Sequence, residues 1–152
     1  MKVSEILKVK GNILFTVTPD SPILDAVNTM AEKDIGSLVV MEGGRLIGML
    51  TFREVIATLH ENGGALGSEN VRNHMNDKPI VVAPDTDLND VRRLMLEQHA
   101  RYVPVRDDKD GSLMGVMSFY DVAKAVFEAQ SFENRMLKSY IQDSPIEAEE
   151  ER

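Results

Sequence analysis

The strongest constraint on the fold is that the chain repeats itself. Thr18-Pro19-Asp20-Ser21-Pro22 returns as Ala83-Pro84-Asp85-Thr86-Asp87, 65 positions later. In the same order, Val3-Ser4-Glu5-Ile6-Leu7 answers to Val71-Arg72-Asn73-His74-Met75, Leu38-Val39-Val40 to Val103-Pro104-Val105, and Gly48-Met49-Leu50-Thr51 to Gly115-Val116-Met117-Ser118. The offset drifts only between 65 and 68, as short loop insertions would cause. Such self-similarity means that one supersecondary unit is built twice. With 152 residues, 43% of them hydrophobic, the copies form either one compact core or two half-size units that share one.

Each copy has the same local grammar. An apolar run, 13–17 or 79–82, meets a Pro-Asp turn that ends a strand. Ser21 and Thr86 are placed to cap the helix that follows, and Pro22 suits a first helical position, where its missing N–H would be unpaired anyway. Ile23, Val27, Met30 and Ala31 recur at helical spacing, as do Leu88, Val91, Leu94 and Met95, so each helix is expected to bury one face. Two strands come next, 38–41 with 46–50 and 103–105 with 113–117. The first pair turns at Gly43-Gly44, where glycine accepts the positive φ of a tight hairpin, and the second crosses the longer loop 107–112. These strands are apolar throughout, which predicts cover on both faces. A second helix follows each hairpin, at 52–60 and 119–140, and a short helical turn precedes each copy. The reading therefore divides the chain into a first repeat, 1–62, a linker, 63–70, a second repeat, 71–141, and a tail, 142–152. That tail is acidic and too poor in apolar residues to offset the entropy of ordering, so it is expected to be disordered.

Composition removes several classes of function. The chain has no cysteine, which excludes disulfides, thiolate nucleophiles and cysteine metal sites. A formal net charge of -8 repels phosphate backbones, so no nucleic-acid partner is expected. No run of 18 apolar residues occurs, and Met1-Lys2-Val3-Ser4 leads into mixed polar sequence; the expectation is a soluble, cytoplasmic protein without a membrane partner. His60, His74 and His99 lie in different elements without metal-ligand spacing, and no Walker-type loop or nucleophile–base–acid set is visible. No metal, catalytic cofactor or enzymatic activity is expected.

The most informative segments are Gly48-Met49-Leu50-Thr51-Phe52-Arg53-Glu54 and Gly115-Val116-Met117-Ser118-Phe119-Tyr120-Asp121. Each sets a hydroxyl, and three residues later a carboxylate, at a strand-to-helix junction. One reading is a capping box, in which hydroxyl and acid satisfy the first backbone N–H groups of the helix. The other is a ligand site: the helix start offers unpaired N–H groups and a positive dipole end to a phosphate, the hydroxyl bonds to it, the carboxylate accepts from both ribose hydroxyls, and the glycine lets a flat base approach the backbone. The two readings do not exclude each other.

Taken in order, Thr18-Pro19, Ile35-Gly36-Ser37-Leu38-Val39-Val40, the Thr51 motif, Ala83-Pro84, Arg101-Tyr102-Val103-Pro104-Val105 and the Ser118 motif resemble a pair of cystathionine-β-synthase-type (CBS) domains, also called a Bateman module, over about residues 1–130. The resemblance implies an α+β fold of tandem CBS repeats, two β-α-β-β-α units packed sheet to sheet about a pseudo-twofold axis with two equivalent clefts. It implies that Ser118 with Asp121, and Thr51 with Glu54, hold phosphate and ribose. Glu54 stands where the family usually has Asp, so the first site is implied to be weaker, altered in ligand or empty. Gly36 and Ser37, with Arg101 and Tyr102, are implied to add contacts from the start of the middle strand. Arg101 and Arg53 are candidate phosphate partners, and Thr16 and Ile80 candidate base-pocket walls, against the alternatives of surface charge and ordinary packing.

The function so implied is an adenine-nucleotide-binding regulatory module for signal transduction, with AMP, ADP, ATP or NAD as bound ligand and an effector protein in trans. The competing reading is a nucleotide-independent dimerisation or docking module with vestigial clefts. In the last helix Phe132, Met136 and Tyr140 continue an apolar stripe that its own chain has little left to cover, and modules of this kind commonly form flat dimers. A homodimer through those residues is expected.

Overall fold

A computed structural model describes residues 1–11 and 13–142. Its elements run α1 Val3–Lys10, β1 Thr16–Val17, α2 Ile23–Lys33, β2 Ser37–Glu42, β3 Arg45–Thr51, α3 Phe52–Glu61, α4 Val71–His74, α5 Leu88–Gln98, β4 Tyr102–Arg106, β5 Leu113–Ser118 and α6 Phe119–Gln142. Apart from Gln142 at the end of α6, the acidic tail lies outside the described residues. The arrangement is the expected α+β one, a twice-built unit with a sheet in each copy. In the first, β1 runs parallel to β2 and β2 antiparallel to β3. In the second, β4 and β5 are antiparallel.

The two first strands differ for a covalent reason. Residues 13–17 supply a two-residue strand, whereas 79–82 supply only a parallel bridge between Val82 and Val105. In the first copy Val39 N–H donates to the Phe15 carbonyl at 3.2 Å. The equivalent donor in the second copy would be residue 104, which is proline and has no N–H. Val82 still donates to the Pro104 carbonyl and accepts from Arg106 N–H, both at 3.0 Å, and the ladder stops there.

Between Glu42 and Arg45, Gly43 and Gly44 have φ of 58° and 76°, the paired positive values of a two-residue hairpin. The expected helix caps move by one residue. Pro22 and Asp87 occupy the N-cap positions, and the Asp87 carboxylate accepts from Asn89 N–H at 2.9 Å. The hydroxyls assigned to capping serve the preceding turn: Thr86 Oγ1 accepts from Ala83 N–H, and Ser21 Oγ bonds to Thr18 Oγ1 at 2.7 Å. On α2 the buried stripe is Ile23, Ala26 and Met30, while Val27 is half-buried and Ala31 exposed, contrary to expectation; α5 buries Leu88, Val91 and Met95 with Leu94 half-buried beside them.

The helical segment ahead of each copy belongs in space to the other copy. In α1, Val3, Ile6 and Leu7 are buried in the second core, among Leu88, Val91, Val103 and Met117. In α4, Val71 is buried in the first core with Ile23, Leu38 and Leu50. The backbone bonds are reciprocal: Val3 N–H donates to Thr86 O and Ser4 N–H to Pro84 O, while Val71 N–H donates to Ser21 O and Arg72 N–H to Pro19 O. Burying such aliphatic side chains contributes about 1.5–3 kcal/mol each, so the exchange ties the two units firmly together. Within β2 and β3, Leu38, Val40 and Leu50 face the α2 side, and Val39 and Met49 alternate to the opposite face, where they too are buried. Both faces are covered, as the unbroken apolar strands predict.

Helix α6 outruns its core. Val122 is its buried residue and Ala125 and Val126 pack beside it, but Phe127, Phe132, Met136, Leu137 and Tyr140 are exposed. Among the described residues, no helix is long and apolar enough to cross a membrane.

Candidate functional site

Both hydroxyl-led motifs fold into closed capping boxes. Glu54 Oε1 accepts from Thr51 N–H and from Thr51 Oγ1, both at 2.8 Å, and Thr51 Oγ1 accepts from Arg53 N–H at 3.2 Å. Asp121 Oδ2 accepts from Ser118 N–H at 2.9 Å, and Ser118 Oγ accepts from Asp121 N–H at 3.0 Å. The strand thus turns into α3 or α6 with hydroxyl and acid fixed at the helix start.

Each helix start opens on a cleft that borrows its far wall from the other repeat. The Ser118 cleft, of about 560 Å³, runs from Ser118, Phe119 and Tyr120 to Phe15, Gly36 and Ser37. The Thr51 cleft, of about 470 Å³, runs from Thr51, Phe52, Arg53 and Glu54 to Lys78, Pro79 and Ile80. Arg101 and Tyr102 line both. Nine of the eleven residues named from the sequence therefore gather in the two clefts: Gly36, Ser37 and Ser118 in one, Thr51, Arg53, Glu54 and Ile80 in the other, with Arg101 and Tyr102 shared.

The other two do not. Thr16 is exposed, is paired with Val39 and lines neither cleft; its neighbour Phe15 takes the wall position, because adjacent strand residues face opposite ways. Asp121 lies behind Ser118, where Lys10 Nζ reaches its Oδ2 at 2.7 Å and also donates to Val116 O at 2.7 Å. Asp121 faces a third cavity, of about 920 Å³, between α1 and α6.

The glycine of each motif has a different task from the one read in the sequence. A Cβ at Gly48 would stand 2.7 Å from the Asn76 carbonyl, and one at Gly115 would stand 3.0 Å from Leu7 Cδ2. These glycines admit the exchanged segments, not a ligand base. Gly36 is the one that opens onto the site: a Cβ there would sit 1.8 Å from the Tyr102 hydroxyl. Burial is the main cause that raises the Tyr102 phenol above its ordinary value of 10.0, with Arg101 opposing and Asp121 adding, so it remains a protonated donor at neutral pH. Arg53 Nη2 donates to His99 O at 2.6 Å, which links the first motif to the αL residue that ends α5.

Sequence reasoning missed two basic residues, Lys10 and Lys78, one in each cleft. They stand 68 positions apart, the same offset as Val3 and Val71, so the repeat itself carried the signal. Each enters on the exchanged segment, which is why it meets a cleft that the linear order of the repeat does not suggest.

Two such units, each lining both clefts, define a tandem-repeat architecture. The CBS domain family profile matches residues 3–61 and 71–128, and the chain belongs to that family. It is 31% identical to the mitochondrial CBS domain-containing protein CBSX3 of Arabidopsis thaliana over 92% of this chain and 71% of that protein. The solved structure of a protein with CBS domains from Burkholderia ambifaria MC40-6 is similar with a TM-score of 0.78 at 32% identity, covering 86% of this chain and 96% of the other. That of Arabidopsis thaliana CBSX2, in complex with AMP, is similar with a TM-score of 0.70 at 26% identity, covering 85% and 98%.

Proposed function

We propose that the chain is a regulatory module that binds an adenine nucleotide, AMP, ADP, ATP or NAD, in the clefts between its repeats, and acts through a protein in trans in the cytoplasm without catalysing a reaction. The observation that carries this is the clefts' construction. Each joins a hydroxyl-bearing helix start, with the lysine of the exchanged segment beside it, to an apolar wall from the other repeat, and Arg101 lines both, so basic side chains gather in the clefts of a chain of net charge -8. A phosphate finds the positive end of a helix, a hydroxyl and cations there, and a base finds Phe15 or Ile80. The AMP complex of CBSX2 supports the ligand class. Because both clefts span both repeats, a ligand that fits one relative setting of the repeats better than another shifts that setting.

A second reading, a docking module with vestigial clefts, has its own support. Asp121 is already paired with Lys10, and Glu54 is engaged by Thr51, so neither acid is free to receive ribose hydroxyls without rearrangement. In both readings we propose a homodimer through Phe132, Met136 and Tyr140, whose exposure supports it. A thermal-shift screen of AMP, ADP, ATP, NAD and S-adenosylmethionine separates the two. A ligand at about 100 times its dissociation constant adds about 2.7 kcal/mol, and Arg101→Ala, which alters both clefts at an exposed position, should abolish the shift. No shift with any compound would leave the docking module.

A further inference from the structure

The clefts are pseudo-equivalent in position but not in charge. In the Thr51 cleft, Arg53, Lys78 and Arg101 face one carboxylate, Glu54. Both the N–H and the hydroxyl of Thr51 already bond to that carboxylate. Among the described residues none of the three cations is ion-paired; Arg53 gives one N–H to a backbone carbonyl and keeps its charge. In the Ser118 cleft, Lys10 is neutralised by Asp121, and the remaining cation, Arg101, shares the cleft with Asp34. The position that carries Arg53 in the first motif carries Tyr120 in the second, 67 residues on.

We infer that the two clefts divide ligands by phosphate number: the Thr51 cleft takes a di- or triphosphate, and the Ser118 cleft takes a monophosphate or an uncharged nucleoside. This rests on the adenine-nucleotide reading above and adds to it which cleft holds which class. Each further phosphate brings negative charge into the cleft, where uncompensated cations attract it and an adjacent carboxylate repels it. Of the three sequence expectations for the Thr51 site, weaker, altered in ligand or empty, this distribution favours the altered ligand. Glu54 caps its own helix, and the positive field of that cleft comes from Arg53, Arg101 and Lys78, the last brought in beside the exchanged segment.

The test titrates the full chain calorimetrically with AMP, Mg²⁺-free ATP and inorganic tripolyphosphate, using the wild type, Lys78→Ala and Lys10→Ala. Lys78 is exposed, so its replacement leaves the fold intact. Lys78→Ala should weaken ATP about tenfold and AMP less than about threefold, while Lys10→Ala leaves the ATP site within about twofold. ATP binding unchanged by Lys78→Ala, AMP and ATP weakened alike, or a larger loss of ATP with Lys10→Ala would each overturn the assignment. If no adenine compound binds but tripolyphosphate does, and Lys78→Ala removes it, the charge division stands and the adenine reading falls. If nothing binds, both are overturned.

Discussion

The exchange of α1 onto the second repeat makes a quantitative prediction at the contact between Leu7 and Gly115. Leu7 is buried, and its Cδ2 would lie 3.0 Å from a Cβ added at Gly115, where φ is not positive and any residue is permitted. Replacing a strand glycine by alanine without a clash gains about 0.4–1 kcal/mol by restricting the unfolded chain. Here the added methyl meets a packed leucine, and such overpacking costs about 1–3 kcal/mol. Gly115→Ala should therefore lose about 1 kcal/mol net. Leu7→Ala leaves a cavity and should lose about 3 kcal/mol, within the ordinary range of about 2–5. If the two were independent, the double variant would lose about 4 kcal/mol. If Leu7 sits on Gly115, the clash disappears in the double variant and the glycine replacement becomes favourable, so the loss should be only about 2 kcal/mol. Equilibrium urea unfolding followed by circular dichroism measures all four proteins on one scale. Losses that add to within about 0.5 kcal/mol would place α1 elsewhere and remove the route by which Lys10 reaches Asp121.

Other outcomes follow from the same structure. Gly48→Ala should be more damaging than Gly115→Ala, because its Cβ meets the backbone carbonyl of Asn76, which cannot rotate away, and the Met49–Asn76 bridge is lost with it; denaturant midpoints compare the two, and a smaller loss for Gly48→Ala would refute the reasoning. Tyr102 holds its proton more tightly folded than unfolded, so the stability it contributes is present below about pH 10 and is lost as pH rises through the folded value. The stability measured by urea unfolding between about pH 9 and 11, as assay conditions, should fall more steeply for the wild type than for Tyr102→Phe, and equal slopes would contradict the half-buried placement. Sedimentation should find a dimer that Phe132→Asp with Met136→Asp converts to a monomer; a monomeric wild type at micromolar concentration would remove the proposed interface.

The legible part of this protein is what depends on spacing along the chain. The duplication, the Gly43-Gly44 hairpin, the apolar strands covered on both faces and the hydroxyl–acid pairs at residues 51 and 54, and 118 and 121, are local or periodic, and the structure reproduces them. Of the nine residues gathered in the clefts, Thr51, Glu54 and Ser118 are legible in the same way, whereas Gly36, Ser37, Arg53, Ile80, Arg101 and Tyr102 follow only from the resemblance to the CBS family. Where a side chain's direction mattered the reading slipped by one residue, to Thr16 instead of Phe15 and to Ser21 and Thr86 instead of the true caps, because composition marks a turn better than it marks the residue at which a strand flips face.

Only the tertiary structure decided who packs on whom. A contiguous repeat at 1–62 and another at 71–141 is the natural linear reading, yet α1 and α4 bury their apolar residues in each other's units. Nothing in the periodicity of Val3, Ile6 and Leu7 says which core receives them, since a hydrophobic face is satisfied equally by either. That choice sets the functional charges. It brings Lys10 to Asp121 and Lys78 to the helix start at Thr51, it turns Gly48 and Gly115 from ligand-facing glycines into packing glycines, and it leaves two clefts built from one repeated sequence with unequal fields.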